Sequence, residues 1–144
     1  MRRSILLAVV LSVVACAPHP SFTLPNDQGR VRDATAGLWK HPLPEDQNIR
    51  TIELQRSVNS SVSLVEVRDR EAPHIHTRYD LTVVVSRGQG TLWLNGESRP
   101  MRAGDAAFIP KRTPHYFVNE GSEPAVAVVV FSPAFTDPDQ QPVP

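Results

Sequence analysis

Short apolar segments separated by tight turns run through the centre of this chain, and they constrain the fold more than any other feature. Ile49 to Arg56 and Ser61 to Val67 alternate apolar and polar residues with the period of two that is typical of β-strands. Further along, Leu92-Trp93-Leu94 is followed by Asn95-Gly96, the strongest two-residue signal for a β-hairpin. The continuously apolar run Ala125 to Phe131 is typical of a buried strand. We therefore predict an all-β fold, an antiparallel barrel or sandwich.

Three of the five histidines lie in two short segments of this region. His74 and His76 are two residues apart, so on a strand both side chains project from one face. His115 begins a later strand. Neutral imidazole is the commonest metal ligand in proteins, and a pair of histidines with a third from elsewhere is a usual three-nitrogen site. From the spacing alone, exposed strand histidines and a hydrogen-bonded core histidine are equally compatible with the pattern.

The segment around His115 carries a longer motif. Gly104 is followed after five residues by Pro110, and His115 is followed after three residues by Asn119. This resembles the second motif of the cupin superfamily, G-x5-P-x-G-x2-H-x3-N. Every spacing fits, and Arg112 stands in place of the inner glycine.

The segment around the other two histidines resembles the first cupin motif, G-x5-H-x-H-x3/4-E-x6-G. The histidine pair and Gly88 fit this motif, and Arg68 stands where it begins with glycine. The acidic position falls on Leu81 or, with one residue fewer, on Asp80. The resemblance implies a single small antiparallel β-barrel of the double-stranded β-helix, or jelly-roll, type with disordered termini.

The resemblance also implies a site inside the barrel. One divalent transition metal (Fe, Mn, Ni, Cu or Zn) would be held by His74, His76 and His115; ligand type alone does not choose among these metals. Asp80 is a further candidate ligand, and its alternative role is to cap the turn before its strand or to pair with Arg78. If Leu81 occupies the glutamate position, alternate residues of its strand face the pocket. The predicted pocket residues are Leu81, Val83, Val85, Trp93 and Phe108.

Three functional hypotheses follow from such a site. The first is a metalloenzyme resembling cupin dioxygenases or decarboxylases and acting on a small, anionic molecule. The second is a non-enzymatic periplasmic module that binds or senses a small ligand, and the third is a metal-free barrel. A homodimer is a further expectation. Lys+Arg and Asp+Glu are both 15, a balance that gives no argument for nucleic-acid binding.

The N-terminus has the pattern of a bacterial targeting segment. Arg2 and Arg3 precede an apolar run that is too short to span a membrane, and the run ends at Val13-Val14-Ala15-Cys16. This end resembles the lipobox of bacterial lipoproteins, in which the cysteine is lipidated. Cys16 is the only cysteine, so an internal disulfide is excluded. Ala17 follows it, which by resemblance favours an anchor in the outer membrane of a Gram-negative bacterium, on the periplasmic side.

The predicted organisation follows from these boundaries. We expect a lipoprotein signal peptide over residues 1–15, a proline-rich tether over 16–48, the barrel over 49–132 and a disordered tail over 133–144.

Overall fold

The structure, a computed structural model, describes residues 21–25, 28, 30–33, 35–36 and 41–143. Its regular elements in that part of the chain are all β-strands. They are β1 (Thr23–Pro25), β2 (Val31–Asp33), β3 (Ile49–Arg56), β4 (Ser61–Val67), β5 (His74–His76), β6 (Asp80–Arg87), β7 (Gln89–Leu94), β8 (Glu97–Arg102), β9 (Ala106–Ile109), β10 (His115–Asn119), β11 (Ala125–Ser132) and β12 (Gln140–Pro142). Within the described residues, we find no helix long and apolar enough to cross a membrane.

Two five-stranded antiparallel sheets face each other. One has the order β12-β5-β10-β7-β8 and the other β3-β4-β11-β6-β9, so strands distant in sequence become neighbours. The predicted all-β jelly-roll barrel is therefore confirmed. The two inner faces enclose the main core cluster, which includes Leu81, Val85, Leu92, Ile109 and Phe131. Alternation along each strand separates these residues from an outer face.

The turns of the barrel follow the chemistry of their sequences. Asn95 and Gly96 both have positive φ, 52° and 83°, as the two-residue hairpin turn between β7 and β8 requires. Arg112 also has a positive φ, of 66°. This residue stands in place of the glycine of the second motif, so the backbone keeps the glycine-like conformation although the side chain has changed.

Asn119 ties the end of β10 to the turn that follows it. Its amide nitrogen donates to the carbonyl oxygens of Arg68 and Glu123 at 2.7 and 2.9 Å. Its side-chain oxygen accepts the N–H of Gly121 at 3.1 Å. The last residue of the motif thus has a structural role in this chain.

The segments flanking the barrel are more structured than the sequence predicted. The stretch read as a tether contains the hairpin of β1 and β2. Leu43 is buried, and the Arg68 guanidinium donates to the carbonyl oxygens of Leu43, Pro44 and Gln47. The expectation that 16–48 is only a tether is therefore corrected for its last residues, because an arginine of the barrel satisfies their backbone carbonyl groups.

The tail read as disordered also packs on the barrel. β12 pairs with β5, and Gln140 lies opposite His76. The aromatic ring of Phe135 packs against Tyr79 and Phe131, with ring centroids 5.1 and 5.0 Å apart. The prediction of disorder was therefore wrong for 133–143. The polar, proline-rich composition does not indicate that Phe135 packs on the barrel or that the carboxylate of Asp139 is buried.

Candidate functional site

A cavity of about 310 Å³ lies between the two sheets. This is at the small end of the range for ligand pockets. Its walls are mostly apolar and include Leu81, Val83, Val85, Leu92, Met101, Ile109, Val129 and Phe131. A few polar side chains also face it: Thr51, Ser63, Glu71, His74, His76, His115 and Gln140. The cavity therefore suits a small molecule that is oriented by few polar groups.

The three histidines of the two motifs meet at this cavity. His115 and His74 are direct cross-strand partners on β10 and β5, and His76 follows on the same face of β5. Each of the three is buried, at 4–8% exposure. One ring nitrogen from each lies within 4.8 Å of the others, and His74 and His115 have ring centroids 4.3 Å apart. The spacing could hold one metal ion.

Hydrogen bonds fix which nitrogen of each ring is free. The Nδ1 of His74 lies 2.8 Å from the carbonyl oxygen of Ala72, and the Nδ1 of His115 lies 2.8 Å from that of Thr113. A carbonyl oxygen only accepts, so each Nδ1 carries the hydrogen and donates it. In the neutral form of each ring, Nε2 then keeps a lone pair for a ligand bond.

His76 has the same arrangement with a different acceptor. Its Nδ1 lies 2.7 Å from Oδ1 of Asp139. Burial raises the pKa of Asp139, but the hydrogen bonds from His76 and from the Arg78 N–H outweigh it and hold that pKa below its ordinary value. The carboxylate is therefore ionised at neutral pH and accepts from Nδ1, which leaves Nε2 of His76 free as well.

Burial favours the neutral form of two of these imidazoles, those of His115 and His76. It lowers the pKa of His115 to about 4, with the neighbouring His74 and His76 acting in the same direction and the Thr113 carbonyl opposing them. Burial also lowers the pKa of His76, although Asp139 opposes this. A neutral ring is the form that binds a metal, so His76 and His115 are ready to bind one at ordinary pH.

Glu71 is a cavity residue that the sequence reading missed. Its Oε2 accepts the N–H of Phe117 at 2.9 Å. Burial raises its pKa, while His74 and the Phe117 N–H lower it. The residue lies in the charged run Arg68 to Glu71, which the sequence marks as a solvated turn. No local sequence signal identifies it, because an acidic residue in a charged run is usually exposed.

Three of the predicted site residues lie elsewhere. Asp80 is outside the histidine cluster: its Oδ1 accepts the backbone N–H of Lys111 at 2.8 Å, as a turn cap. Phe108 is 60% exposed, because its neighbours Ala107 and Ile109 take the inward positions of β9. Trp93 stacks on its cross-strand partner Tyr116, with centroids 5.7 Å apart, and does not line the cavity.

The other predicted residues either line the cavity or lie outside the part of the chain that the structure describes. Leu81, Val83 and Val85 do line the cavity. Cys16 and the signal peptide lie outside the described residues.

Comparison with known proteins agrees with the fold. The family model for the cupin domain matches residues 62–131. A protein of Aquifex aeolicus (strain VF5) with the name "Uncharacterized protein" is 40% identical over 93 residues, which cover 65% of this chain and 76% of that protein.

Solved structures give the same result. Streptomyces Pac13, described as a nucleoside dehydratase and also determined with uridine, is 28% identical with a TM-score of 0.57, covering 67% of this chain and 78% of its own. A cupin-2 domain from Rhodospirillum rubrum shares the fold with a TM-score of 0.60 at 14% identity, covering 68% of this chain and 67% of its own. The match of the cupin family model, together with the paired sheets and the two motifs, places the chain in the cupin superfamily.

Proposed function

We propose that this protein binds one divalent transition metal through the Nε2 atoms of His74, His76 and His115 and acts on a small molecule in the adjoining cavity. The observation that carries the proposal is the set of three Nδ1 hydrogen bonds. They orient all three rings, fix one tautomer in each and leave three lone pairs within reach of a single ion.

The donor set fits such a metal. Three neutral imidazoles are ligands for Fe, Mn, Ni, Cu and Zn, and they leave coordination positions for a substrate. When bound, the ion supplies Lewis-acid polarisation of a substrate oxygen. Among the described residues, the cluster of ligand atoms includes no carboxylate. No carboxylate oxygen of that cluster would then bind the ion directly, which favours an anionic or oxygen-chelating ligand.

Glu71 gives the cavity a group that can carry a proton. The Phe117 N–H holds one carboxylate oxygen, so the other is free to accept or donate a proton at the substrate. A raised pKa brings a carboxyl group closer to the range useful for proton transfer. This arrangement supports a dehydration, elimination or isomerisation more directly than the dioxygenase or decarboxylase chemistry expected from the sequence. The likeness to the nucleoside dehydratase Pac13 supports the same class.

Elemental analysis of the purified protein tests the metal. We expect about one transition-metal ion per chain in the wild type and its loss in both His74→Ala and His115→Ala. His41→Ala is the matched control, because His41 is an exposed histidine away from the cavity. Metal retained in both site variants, or absent from the wild type after reconstitution with Fe²⁺, Mn²⁺, Ni²⁺, Cu²⁺ and Zn²⁺, would refute the metal site. Ligand binding without turnover would instead identify a binding module.

The lipid anchor is a separate proposal that rests on the sequence Val13 to Cys16. The anchor would hold the domain at the periplasmic face of the outer membrane, and stable attachment needs more than one acyl chain. Labelling of cells with an alkyne analogue of palmitate tests it. We expect label on the wild type and none on Cys16→Ser; label on both, or on neither, would contradict the anchor.

A further inference from the structure

We infer that residues 133–143, termed here the C-terminal strap, complete the metal site, and that Asp139 is the positioning residue of His76. The inference deepens the proposed function, since it rests on His76 being a metal ligand. It assigns a role to a segment outside both sequence motifs.

The strap is fastened to the barrel at several points. The Phe135 N–H donates to Oγ of Ser61 at 2.9 Å, and the Thr136 N–H donates to the hydroxyl of Tyr79 at 3.1 Å. Ser61 and Tyr79 are both almost fully buried. The strap ends in β12, which pairs with the strand that carries two of the three histidines. The strap is thus held to the barrel at Phe135, Thr136 and β12.

Asp139 uses both carboxylate oxygens, one on β5 and one on the turn that follows it. Oδ1 accepts from Nδ1 of His76 at 2.7 Å, and Oδ2 accepts the N–H of Arg78 at 2.8 Å. The side chain is only 2% exposed. A buried carboxylate with two fixed donors cannot swing away, so it holds the ring of His76 in one orientation and one tautomer.

The histidines differ in how they are oriented. His74 and His115 donate to backbone carbonyl oxygens two residues earlier, whereas His76 donates to a side chain 63 residues away. A carboxylate acceptor also makes the opposite nitrogen a stronger donor to metal than a neutral carbonyl does. His76 should therefore be the ligand whose contribution depends on the strap.

The strap also closes part of the cavity. Phe135, Pro138 and Gln140 lie in its wall beside the histidines. The same segment that orients one ligand thus limits the shape of the molecule that reaches the metal.

Titration of the metal-free protein with Co²⁺, followed by its visible absorption, tests the inference. We expect Asp139→Ala to weaken Co²⁺ binding by about 10- to 100-fold. Asp139→Asn retains one acceptor and should fall between Asp139→Ala and the wild type. Asp137→Ala is the matched control: it lies on the same strap and pairs with Arg78, but its side chain is 65% exposed and does not line the cavity. We expect it to bind within about twofold of the wild type.

Two results would overturn the inference. One is Co²⁺ binding by Asp139→Ala that equals that of Asp137→Ala. The other is equal weakening in Asp139→Ala and Asp139→Asn with equal loss of thermal stability, which would show a merely structural role.

A second measurement separates this inference from the proposed function. Nitrogen-15 NMR of the metal-free protein should show the Nδ1–H tautomer of His76 in the wild type and in Asp137→Ala, and its loss in Asp139→Ala. If the wild type binds no metal, the proposed function fails and this spectrum still decides whether Asp139 positions the ring. An unchanged His76 spectrum in Asp139→Ala would by itself refute the role of Asp139 in positioning His76.

Discussion

The burial of His115 predicts that the metal-free protein loses stability in mild acid. In the folded chain burial lowers the pKa of this residue from 6.5 to about 4, while the unfolded chain has the ordinary value. Well above pH 6.5, His115 is unprotonated in both the folded and the unfolded chain, so it has no pH-dependent effect on stability there. As the pH falls from 6.5 towards 4, the unfolded chain takes up a proton that the folded chain does not. The free energy of unfolding therefore decreases through this window and levels off below it.

The size of the effect follows from the two pKa values. A difference of about 2.5 pKa units corresponds to roughly 3 kcal/mol when the window has been crossed completely, and about 2 kcal/mol has been lost by pH 5. The residue is 5% exposed, so solvent screening removes little of this. A loss of this size is a large fraction of the stability of a domain of this length.

Urea unfolding followed by tryptophan fluorescence, in EDTA and at several pH values from 7.5 to 4.5, measures the effect. The useful quantity is the wild-type free energy of unfolding minus that of His115→Gln, because the variant lacks the titrating ring but keeps the other acid-sensitive groups. We expect this difference to shrink by about 2 kcal/mol between pH 7 and pH 5. His41→Gln, at an exposed position, should leave the pH dependence unchanged. A difference that stays constant over the whole range would refute the reasoning.

Three further predictions concern the cavity and the backbone of the barrel. Glu71→Gln should keep the metal but slow the exchange of deuterium from D₂O into carbon-bound positions of substrates by about 100-fold or more. Mass spectrometry on small hydroxy acids and nucleosides measures this exchange. Exchange at the wild-type rate would exclude the carboxyl group as the proton carrier. Gly90→Ala should lower the free energy of unfolding in urea by at least about 3 kcal/mol, because the added Cβ would lie 2.1 Å from a backbone carbonyl oxygen of β10. Gly121→Ala, whose added Cβ would have no atom closer than 3.4 Å, should lower it far less. Equal losses in the two variants would contradict the packing. Arg112→Gly should raise the free energy of unfolding by about 1 kcal/mol, because glycine adopts the positive φ of 66° without strain. A decrease in the melting temperature would show that the arginine side chain stabilises the fold by more than the backbone strain destabilises it.

The strands and the histidine cluster could be predicted because both follow from local patterns. The period of two in Ile49–Arg56 and Ser61–Val67 identifies two strands, and the structure gives them the same bounds. The spacing of His74 and His76 fixes a shared face on any strand, whatever the rest of the fold. Such features need no knowledge of which strands become neighbours.

The errors concern residues whose role depends on a distant partner. The orientation of Trp93 depends on its pairing with Tyr116 on β10, and the phase of Phe108 depends on the pairing of β9 with β6. Asp80 precedes an apolar strand in the sequence, but the backbone N–H it accepts belongs to Lys111. The residue pattern within one strand does not show which strand or backbone group lies next to it.

Two acidic residues of the site were missed for a related reason. Glu71 and Asp139 both lie in polar stretches, where an exposed charge is the usual expectation. Asp139 is buried only because the strap returns to β5, and nothing in the local sequence indicates that return. A polar tail with one aromatic residue among its prolines is the weak signal that could have suggested it.

The separation between His76 and Asp139 has a consequence for how the site forms during folding. The rings of His74 and His115 are oriented within their own tripeptides, so these two ligands are set as soon as β5 and β10 pair. The third ring depends on a further contact, across 63 residues, that forms only when the strap returns to β5. A partly folded chain therefore offers an ion two oriented ligands rather than three. Tight metal binding should therefore follow, and not precede, the docking of the strap on β5.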